Sequence, residues 1–316
     1  MIKVTLYHFI NNNNITFIMK IFDCTTYYDE ELILDLRFNM LNNYVDKFVV
    51  CEANFSHAGK KKKLNFDINK FSKFKDKIIY LVLENEPIDL IYKNDEKKIE
   101  SKKNMRANSI KRIAYQRNKI FEGIENVAEP EDYILYSDND EIPNLEIFQP
   151  KTNKSKIVIF EQKLFYYKFN LLCDRIYWYG TRAVKKKDLI NFEWLRQIKA
   201  KKYPFFRLDT FFKNNKYMDL KILKNGGWHF TRVISPEKIH QKELDTEHHD
   251  EYRLSNKDPE RIRDLIARRV IDHDHLADSK GNKYGKEFQL KQIDLTDLPE
   301  FIRDNSDYYK NFLDLN

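Results

Sequence analysis

The segment YILYSDNDEIP, residues 133–143, joins an apolar run to three carboxylates within four positions, at Asp138, Asp140 and Glu141. The apolar run predicts a buried strand, and the acidic residues follow its carboxyl end directly. Like charges this close repel one another and raise one another's pKa, so either a cation or a solvated turn must accommodate them. The segment therefore predicts a strand that ends in a metal site or in a turn.

The residues before this segment alternate between apolar runs and helical patterns. Strands are predicted at 20–25, 47–53 and 77–84, and helices around Leu32, Leu36 and Met40 and over 108–124. Runs that are apolar without alternation are typical of parallel strands covered on both faces. Strands separated by helices predict an α/β fold, with a mostly parallel, Rossmann-type sheet and helices on both faces.

The pattern changes in the second half of the chain. Aromatic, strand-like stretches occupy 156–169 and 175–184, and a helical pattern returns at 258–270. Because no internal repeat and no long Gly/Pro-rich linker interrupts the chain, we predict a single domain over 19–316, with halves at 19–150 and 151–316. Residues 1–18 contain four consecutive asparagines and no small-residue cleavage site, so they are predicted to be a disordered extension.

The chain of 316 residues carries 56 Lys and Arg against 49 Asp and Glu, a formal net charge of +7. This mild excess could favour nucleic acid, an anionic membrane surface or a phosphorylated substrate, or could reflect only the Lys-rich composition of an AT-rich genome. Cys24, Cys51 and Cys173 form no Cys-x-x-Cys pair, which favours a reducing cytoplasm over a zinc site or a disulfide framework. No stretch is apolar for long enough to span a membrane, so at most peripheral association with the inner membrane surface is expected.

Ligands of open α/β sheets bind beyond the carboxyl ends of the strands, which is where the acidic segment lies. Three other groups are predicted to converge there: Glu52 with Asn54, Arg112 with Gln116, and Trp228 with His229 in the GGWHF stretch at 226–230. Trp228 and His229 have an alternative interpretation as core residues that follow a Gly-Gly turn.

Two interpretations of the acidic segment remain open on residue chemistry alone. In one, Asn139 and Asp140 form a turn, and Asp140 or Glu141 caps a helix that begins near Pro143. In the other, an Asp-x-Asp element holds Mn²⁺ or Mg²⁺ on a nucleotide diphosphate, because two hard oxygen ligands leave coordination places for phosphate oxygens and water. An EF-hand is excluded, since its calcium loop needs Gly where this chain has Pro143.

Four stretches resemble glycosyltransferase family seventeen, the group of enzymes that add the bisecting N-acetylglucosamine to N-glycans. They are LDLRFNMLNNYVDKFVVCEANFSHAGKKKKLNF at 34–66, YQRNKI at 115–120, SDNDEIP at 137–143 and GGWHF at 226–230. The resemblance implies a GT-A fold, a UDP-sugar donor (UDP-N-acetylglucosamine is expected), Mn²⁺ or Mg²⁺, and transfer with inversion. It also implies a nucleotide-sugar half at 19–150 and an acceptor half at 151–316, with an oligosaccharide or glycolipid as acceptor.

The resemblance also assigns expected roles to residues. Asp138 and Asp140 would bind the metal, with Asp140 the more direct ligand and His229 completing the shell. Expected donor-binding residues are Glu52, Asn54, Arg112, Gln116, Arg117, Asp138, Asn139, Arg182 and Trp228, and the arginines would add charge-assisted contacts to the diphosphate. Glu251 and Glu141 are the candidates for the base that deprotonates the acceptor hydroxyl, and Glu251 is preferred because it follows the GGWHF stretch.

The sequence is expected to depart from the animal enzymes of this family in two respects: in lacking their membrane anchor, and in reading Ser-Asp-Asn-Asp where a more acidic run is usual. Two other classes of protein compete with a transferase. A metal-dependent phosphohydrolase would also use paired aspartates but would release inorganic phosphate. A nucleic-acid-binding protein would use the basic surface, but no recognition motif supports it, and no nucleic-acid partner is expected.

Overall fold

The computed structural model describes residues 19–93, 100–201, 203, 216–217, 219–246, 249–255, 257–276 and 284–315. The predicted extension at 1–18 lies outside the described residues. Among those that are described, no helix has both the length and the apolar character needed to cross a bilayer.

The first half of the chain alternates strands and helices as the apolar runs predict. Its elements are β1 (Ile21–Tyr27), α1 (Glu31–Leu41), β2 (Lys47–Ala53), β3 (Ile78–Leu83), α2 (Lys102–Lys119) and β4 (Tyr133–Tyr136). Neighbouring strands in the order β3-β2-β1-β4 are all parallel. Their carboxyl ends therefore meet at one edge of the sheet.

The second half adds strands of both directions. Its elements are β5 (Glu141–Pro143), β6 (Ile157–Tyr166), β7 (Leu171–Lys185), α3 (Phe192–Gln197), β8 (Leu220–Leu223), β9 (Gly227–Thr231), α4 (Pro236–Glu243), α5 (His249–Leu254), α6 (Pro259–Ala267), β10 (Val270–His273), β11 (Tyr284–Gln289), β12 (Lys291–Gln292), α7 (Glu300–Asp304) and α8 (Ser306–Tyr309).

A single sheet continues through both halves in the order β3-β2-β1-β4-β7-β6-β9-β5, with β8 beside β6 and β12 beside β7. The long strand β7 runs antiparallel to both β4 and β6, and this is where the parallel part of the sheet ends. β10 and β11 form a separate antiparallel pair. The predicted α/β fold, with a mostly parallel central sheet and a mixed second half, is confirmed.

Helices cover both faces of the sheet. Side chains of β1 and β2 alternate between the faces, as strand geometry requires. One face packs Phe48 and Val50 against α1 and the C-terminal helices α7 and α8. The opposite face packs Val49 and Cys51 against the turn after α2 and against α3.

The helix that Asp140 or Glu141 would cap does not form. Residues 141–143 are instead the short strand β5, which pairs antiparallel with β9 and sets Glu141 opposite His229. Gly227 permits this pairing, because its φ is +134° and a Cβ there would lie 2.2 Å from the carbonyl oxygen of Ile142. The Gly-Gly turn therefore brings the GGWHF stretch against the acidic segment.

Candidate active site

A cavity of about 220 Å³ opens at the carboxyl ends of β1, β2 and β4. Tyr27 at the end of β1 and His57 in the loop after β2 line one side of it, and α4 closes another side with Lys242. The acidic turn at 138–141 lies against its floor. The cavity therefore occupies the position that parallel α/β sheets use for ligands.

A fully buried arginine holds the acidic turn from beneath. Arg37 on α1 donates from Nε and Nη2 to the two carboxylate oxygens of Asp23, at 2.7 and 2.6 Å. Its Nη1 donates to the carbonyl oxygens of Asn139 and Glu141, and its Nη2 also donates to Ser137 Oγ at 2.7 Å. Three carbonyl and hydroxyl oxygens of the turn are thus fixed by one side chain, which leaves the carboxylates of the turn directed elsewhere.

Two further arginines bind the carboxylate of Asp138. Arg196 on α3 donates from Nη2 to Oδ2 at 2.8 Å, and Arg117 on α2 donates from Nη2 to Oδ1 at 3.4 Å. Burial would raise the pKa of Asp138, but the charges of Arg196 and Arg117 outweigh it and hold that pKa well below its ordinary value. Asp138 is therefore ionised at neutral pH.

Glu141 is the most buried carboxylate of the turn, with 1% of its side chain exposed. Its Oε1 accepts from Trp178 Nε1 at 2.6 Å and from Arg196 Nη2 at 3.0 Å, and its Oε2 accepts from the backbone N–H of Asp138 at 3.1 Å. A carboxylate offers about four lone-pair sites, so one remains on Oε2 beyond these bonds.

Asp140 and His229 meet across the β5 and β9 pairing. Asp140 Oδ1 and His229 Nε2 lie 3.4 Å apart, and Phe230 donates its backbone N–H to the carbonyl oxygen of Asp140 at 2.8 Å. Burial would raise the pKa of Asp140, but His229 and then Lys242 lower it below its usual range. His229 Nδ1 is buried and has no hydrogen-bond partner in the described part of the chain.

Asp140 and His229 are the two groups of the turn region that could hold a divalent cation. Asp140 supplies a carboxylate oxygen and His229 an imidazole nitrogen, whereas both carboxylate oxygens of Asp138 already accept from arginines. Within the residues that the structure describes, no group of three His, Cys, Asp or Glu side chains is arranged to hold a metal ion. A cation here would thus take its remaining ligands from phosphate oxygens and water, as Mg²⁺ commonly does.

Ion pairs lie at another wall of the cavity, next to the acidic turn. Glu30 and Lys242 lie 2.7 Å apart. Burial would raise the pKa of Glu30, but the charge of Lys242 outweighs burial and lowers that pKa. Asp245 accepts from Tyr28 Oη at 2.6 Å and pairs with Lys60 at 2.7 Å. Of these charged groups, Glu30, Lys242 and Asp245 line the cavity and Lys60 does not.

About half of the residues expected from the sequence line this cavity. Those that do are Gln116, Asp138, Asn139, Asp140, Glu141 and His229. The lining does not include Glu52, Asn54, Arg112, Arg117, Arg182, Trp228 or Glu251.

Several of the residues outside the lining have structural partners. Glu52 is fully buried and accepts from the backbone N–H groups of Asn65 and Phe66, so it fixes the loop after β2. Arg112 donates to Glu86 and Glu100 at 2.6 and 2.7 Å behind that loop. The loop residue Asn54 donates its backbone N–H to the carbonyl oxygen of Leu83 at the end of β3. Trp228 packs against the core face that contains α1.

Glu251 lies on α5, away from the acidic turn. Its Oε1 is 3.0 Å from Nη2 of Arg106 on α2, and the neighbouring Asp250 lies 2.5 Å from the same nitrogen.

Sequence reasoning missed several residues of the site, among them Arg37, Trp178, Arg196 and Lys242. Arg37 carried a signal, since it interrupts the apolar face that Ile33 and Leu41 form on α1 at four-residue spacing. The other three come from β7, α3 and α4, and no local pattern connects those segments with the turn after β4.

The chain matches the family model described as Glycosyltransferase family 17 over residues 5–201. The matched region contains β1 to α3 and thus Asp23, Arg37, the acidic turn and Arg196. No curated protein matches the chain.

Proposed function

Because this chain belongs to glycosyltransferase family 17, we propose that it is a metal-dependent inverting enzyme that transfers a sugar from a UDP-sugar to a glycan hydroxyl. N-acetylglucosamine is the expected sugar, and an oligosaccharide or glycolipid is the expected acceptor. The observation that carries the proposal is the acidic turn, which lies at the carboxyl end of β4, on the floor of the cavity. The parallel order β3-β2-β1-β4 followed by this turn also supports a GT-A fold.

The nucleotide of the donor is proposed to occupy the cavity between the ends of β1 and β2. Tyr27 and Phe55 supply aromatic surface there. Gln116 is held in place by donating to the carbonyl oxygen of Cys51 at 2.9 Å. The diphosphate would then extend toward Lys242 and the acidic turn, where the ammonium group offsets phosphate charge.

Asp140 and His229 are proposed to hold Mn²⁺ or Mg²⁺. When bound, the cation would neutralise charge on the diphosphate leaving group, an effect worth several kcal/mol in comparable reactions. Asp138 has a different proposed part: its carboxylate fixes Arg117 and Arg196 next to the turn.

The base is proposed to be Glu141. Arg196 and the indole N–H of Trp178 hold its carboxylate in place through Oε1, and the remaining lone-pair site on Oε2 can accept the proton of the acceptor hydroxyl. Glu251 is the weaker candidate, because it pairs with Arg106 and does not line the cavity. The attack of the hydroxyl on the side of the sugar opposite to the diphosphate would give inversion.

Release of UDP from a panel of UDP-sugars, with and without a glycan acceptor, tests the proposal. We expect UDP-N-acetylglucosamine to bind in calorimetric titrations with Mn²⁺ and to lose most of its affinity with a chelator. Equal binding with and without the metal would remove the cation from the proposal. Release of inorganic phosphate in place of UDP and a transferred sugar would identify a phosphohydrolase instead.

A further inference from the structure

A second, more open cleft of about 630 Å³ adjoins the cavity. Trp178 lines both spaces and so forms the wall between them. The cleft is lined by three arginines, Arg117, Arg182 and Arg196, by Lys199 at its rim, and by the aromatic rings of Tyr177 and Trp178. Its positive lining contrasts with the acidic floor of the first cavity.

Among the residues that the structure describes, the four positive charges of this cleft outnumber the carboxylates that lie against it. Three carboxylates lie against it, Asp138, Glu141 and Glu193, and each of them contacts Arg117 or Arg196. Arg182, by contrast, donates only to carbonyl oxygens, those of Gly180 and Ile198. It is a buried guanidinium with 7% exposure and no carboxylate partner among the described residues.

The hydrogen bonds of Arg182 leave capacity for a ligand. A guanidinium carries five N–H groups, and the three bonds of Arg182 use one each from Nε, Nη1 and Nη2. One N–H on each Nη therefore remains. Burial, followed by the charge of Arg196, lowers the pKa of Arg182 to about 9, which shows that its surroundings disfavour the cation.

Lys199 and Tyr177 add a positive charge and an aromatic ring to the lining of the cleft. Lys199 is exposed and makes no ion pair within the described residues. Tyr177 is 59% exposed, so its ring offers a flat apolar surface beside these charges. Such a surface, with a polar tip, suits the apolar face of a sugar ring.

Glu141 connects the two spaces. It lines the first cavity, and its carboxylate contacts Trp178 and Arg196, which both line the cleft. A proton acceptor at this boundary would serve a hydroxyl that arrives from the cleft while the donor lies in the cavity.

We propose that the cleft binds the acceptor, and that the acceptor carries an anionic group, a carboxylate or a phosphate, which Arg182 and Lys199 bind. This inference rests on the proposed function, since it names the substrate class of the same site. Arg182 supplies its two remaining N–H groups to the anion in a buried setting where charge-assisted hydrogen bonds are strong. Tyr177 and Trp178 stack against the neighbouring sugar rings.

Calorimetric titration of the full chain with three probes tests the inference without requiring transfer. The probes are a galactose trisaccharide, the matching galacturonic acid trisaccharide, and the galactose trisaccharide carrying one phosphate. We expect at least one anionic probe to bind about tenfold more tightly than the neutral one, which corresponds to about 1.4 kcal/mol. The stronger of the two anionic probes identifies carboxylate or phosphate as the ligand.

Lys199→Gln should weaken the binding of the preferred anionic probe about three- to tenfold and leave the neutral probe unaffected. Lys201→Gln is the matched control. It removes the same charge two residues further along the chain, and the side chain of Lys201 does not line the cleft. Arg182→Gln should have a larger effect, and its melting temperature shows whether it is folded. Equal or undetectable binding of all three probes, or equal effects of Lys199→Gln and Lys201→Gln, would overturn the inference.

The donor measurements separate this inference from the proposed function. Metal-dependent UDP release together with charge-independent probe binding would leave the transferase proposal intact and remove only the anionic acceptor. Selective binding of an anionic probe without UDP release from any UDP-sugar would support the anion site and refute the transferase.

Discussion

The acidic turn after β4 and the acidic pair on α5 are each held by an arginine that pairs with a carboxylate, but in different surroundings. Arg37 beneath the turn is fully buried, and its partner Asp23 is 1% exposed. Arg106 beside Asp250 and Glu251 is 25% exposed, and the two carboxylates are 27% and 35% exposed. The turn also ends a central strand of the sheet, whereas α5 is a helix of 6 residues.

This difference shows that the place of a carboxylate in the topology, and not its acidic neighbours, determines what it can do. A buried charge must be paired and hydrogen-bonded, as Glu141 is with Arg196 and Trp178 and as Asp23 is with Arg37. Exposed pairs are screened by water and contribute little to stability. The turn is therefore held in a fixed geometry, and the pair on α5 has the features of a partly exposed ion pair.

The largest expected contrast concerns Asp140. Asp140→Asn should abolish UDP-sugar transfer, because it removes one of the two proposed ligands of the cation, while the melting temperature of the metal-free protein stays nearly unchanged. Asp250→Asn, the matched change on α5, should retain activity within about threefold, as surface substitutions usually have small effects. The measurement is metal-dependent UDP release by the two variants. Equal activities would show that the turn has no special role.

A second contrast tests which glutamate is the base. Glu141→Gln should reduce turnover by about 10²–10⁴-fold, the usual contribution of general base catalysis, with donor binding retained. Glu251→Gln should change turnover by no more than about threefold. Turnover and calorimetric donor affinity are measured on both variants, and the melting temperature shows that each is folded. A large loss in Glu251→Gln with normal turnover in Glu141→Gln would reverse the assignment.

The smallest contrast concerns stability. Arg37→Met should lower the free energy of unfolding by about 3–5 kcal/mol, because it leaves the buried carboxylate of Asp23 without its partner. Arg106→Met should lower it by about 1 kcal/mol or less, as expected for an exposed pair. Urea unfolding curves of the two variants give both values. Similar values for the two would contradict the view that the turn depends on a buried support.

The parallel half of the fold was predictable because most residues of its strands β2, β3 and β4 are apolar. Runs at 47–53 and 77–84 correspond closely to β2 and β3, since strands covered on both faces need no polar residues. The convergence of the acidic turn with the GGWHF stretch was also expected. The strand identity of residues 141–143 was not evident, because three residues are too few to show a period.

The remaining parts of the site depend on long-range packing. Arg196 reaches Asp138 and Glu141 because α3 packs against the sheet face that contains Val49 and Cys51. Trp178 reaches Glu141 because β7 pairs with β6. The register of paired strands and the packing of a helix on a sheet are not encoded in any local sequence pattern. A prediction from residue types could therefore find the carboxylates of the turn and Arg117, but not Arg196.

The pairing of β5 with β9 also has a consequence for how the protein is made. A ribosome adds residues in order, so Glu141, Ile142 and Pro143 leave it long before their partners His229, Trp228 and Gly227. Until β9 has been synthesised, β5 has no strand to pair with in the described part of the sheet, and Asp140 has no imidazole beside it. Maturation of the site therefore waits for the later half of translation, and a nascent chain that stops at the end of α3 carries the acidic turn in an unfinished form.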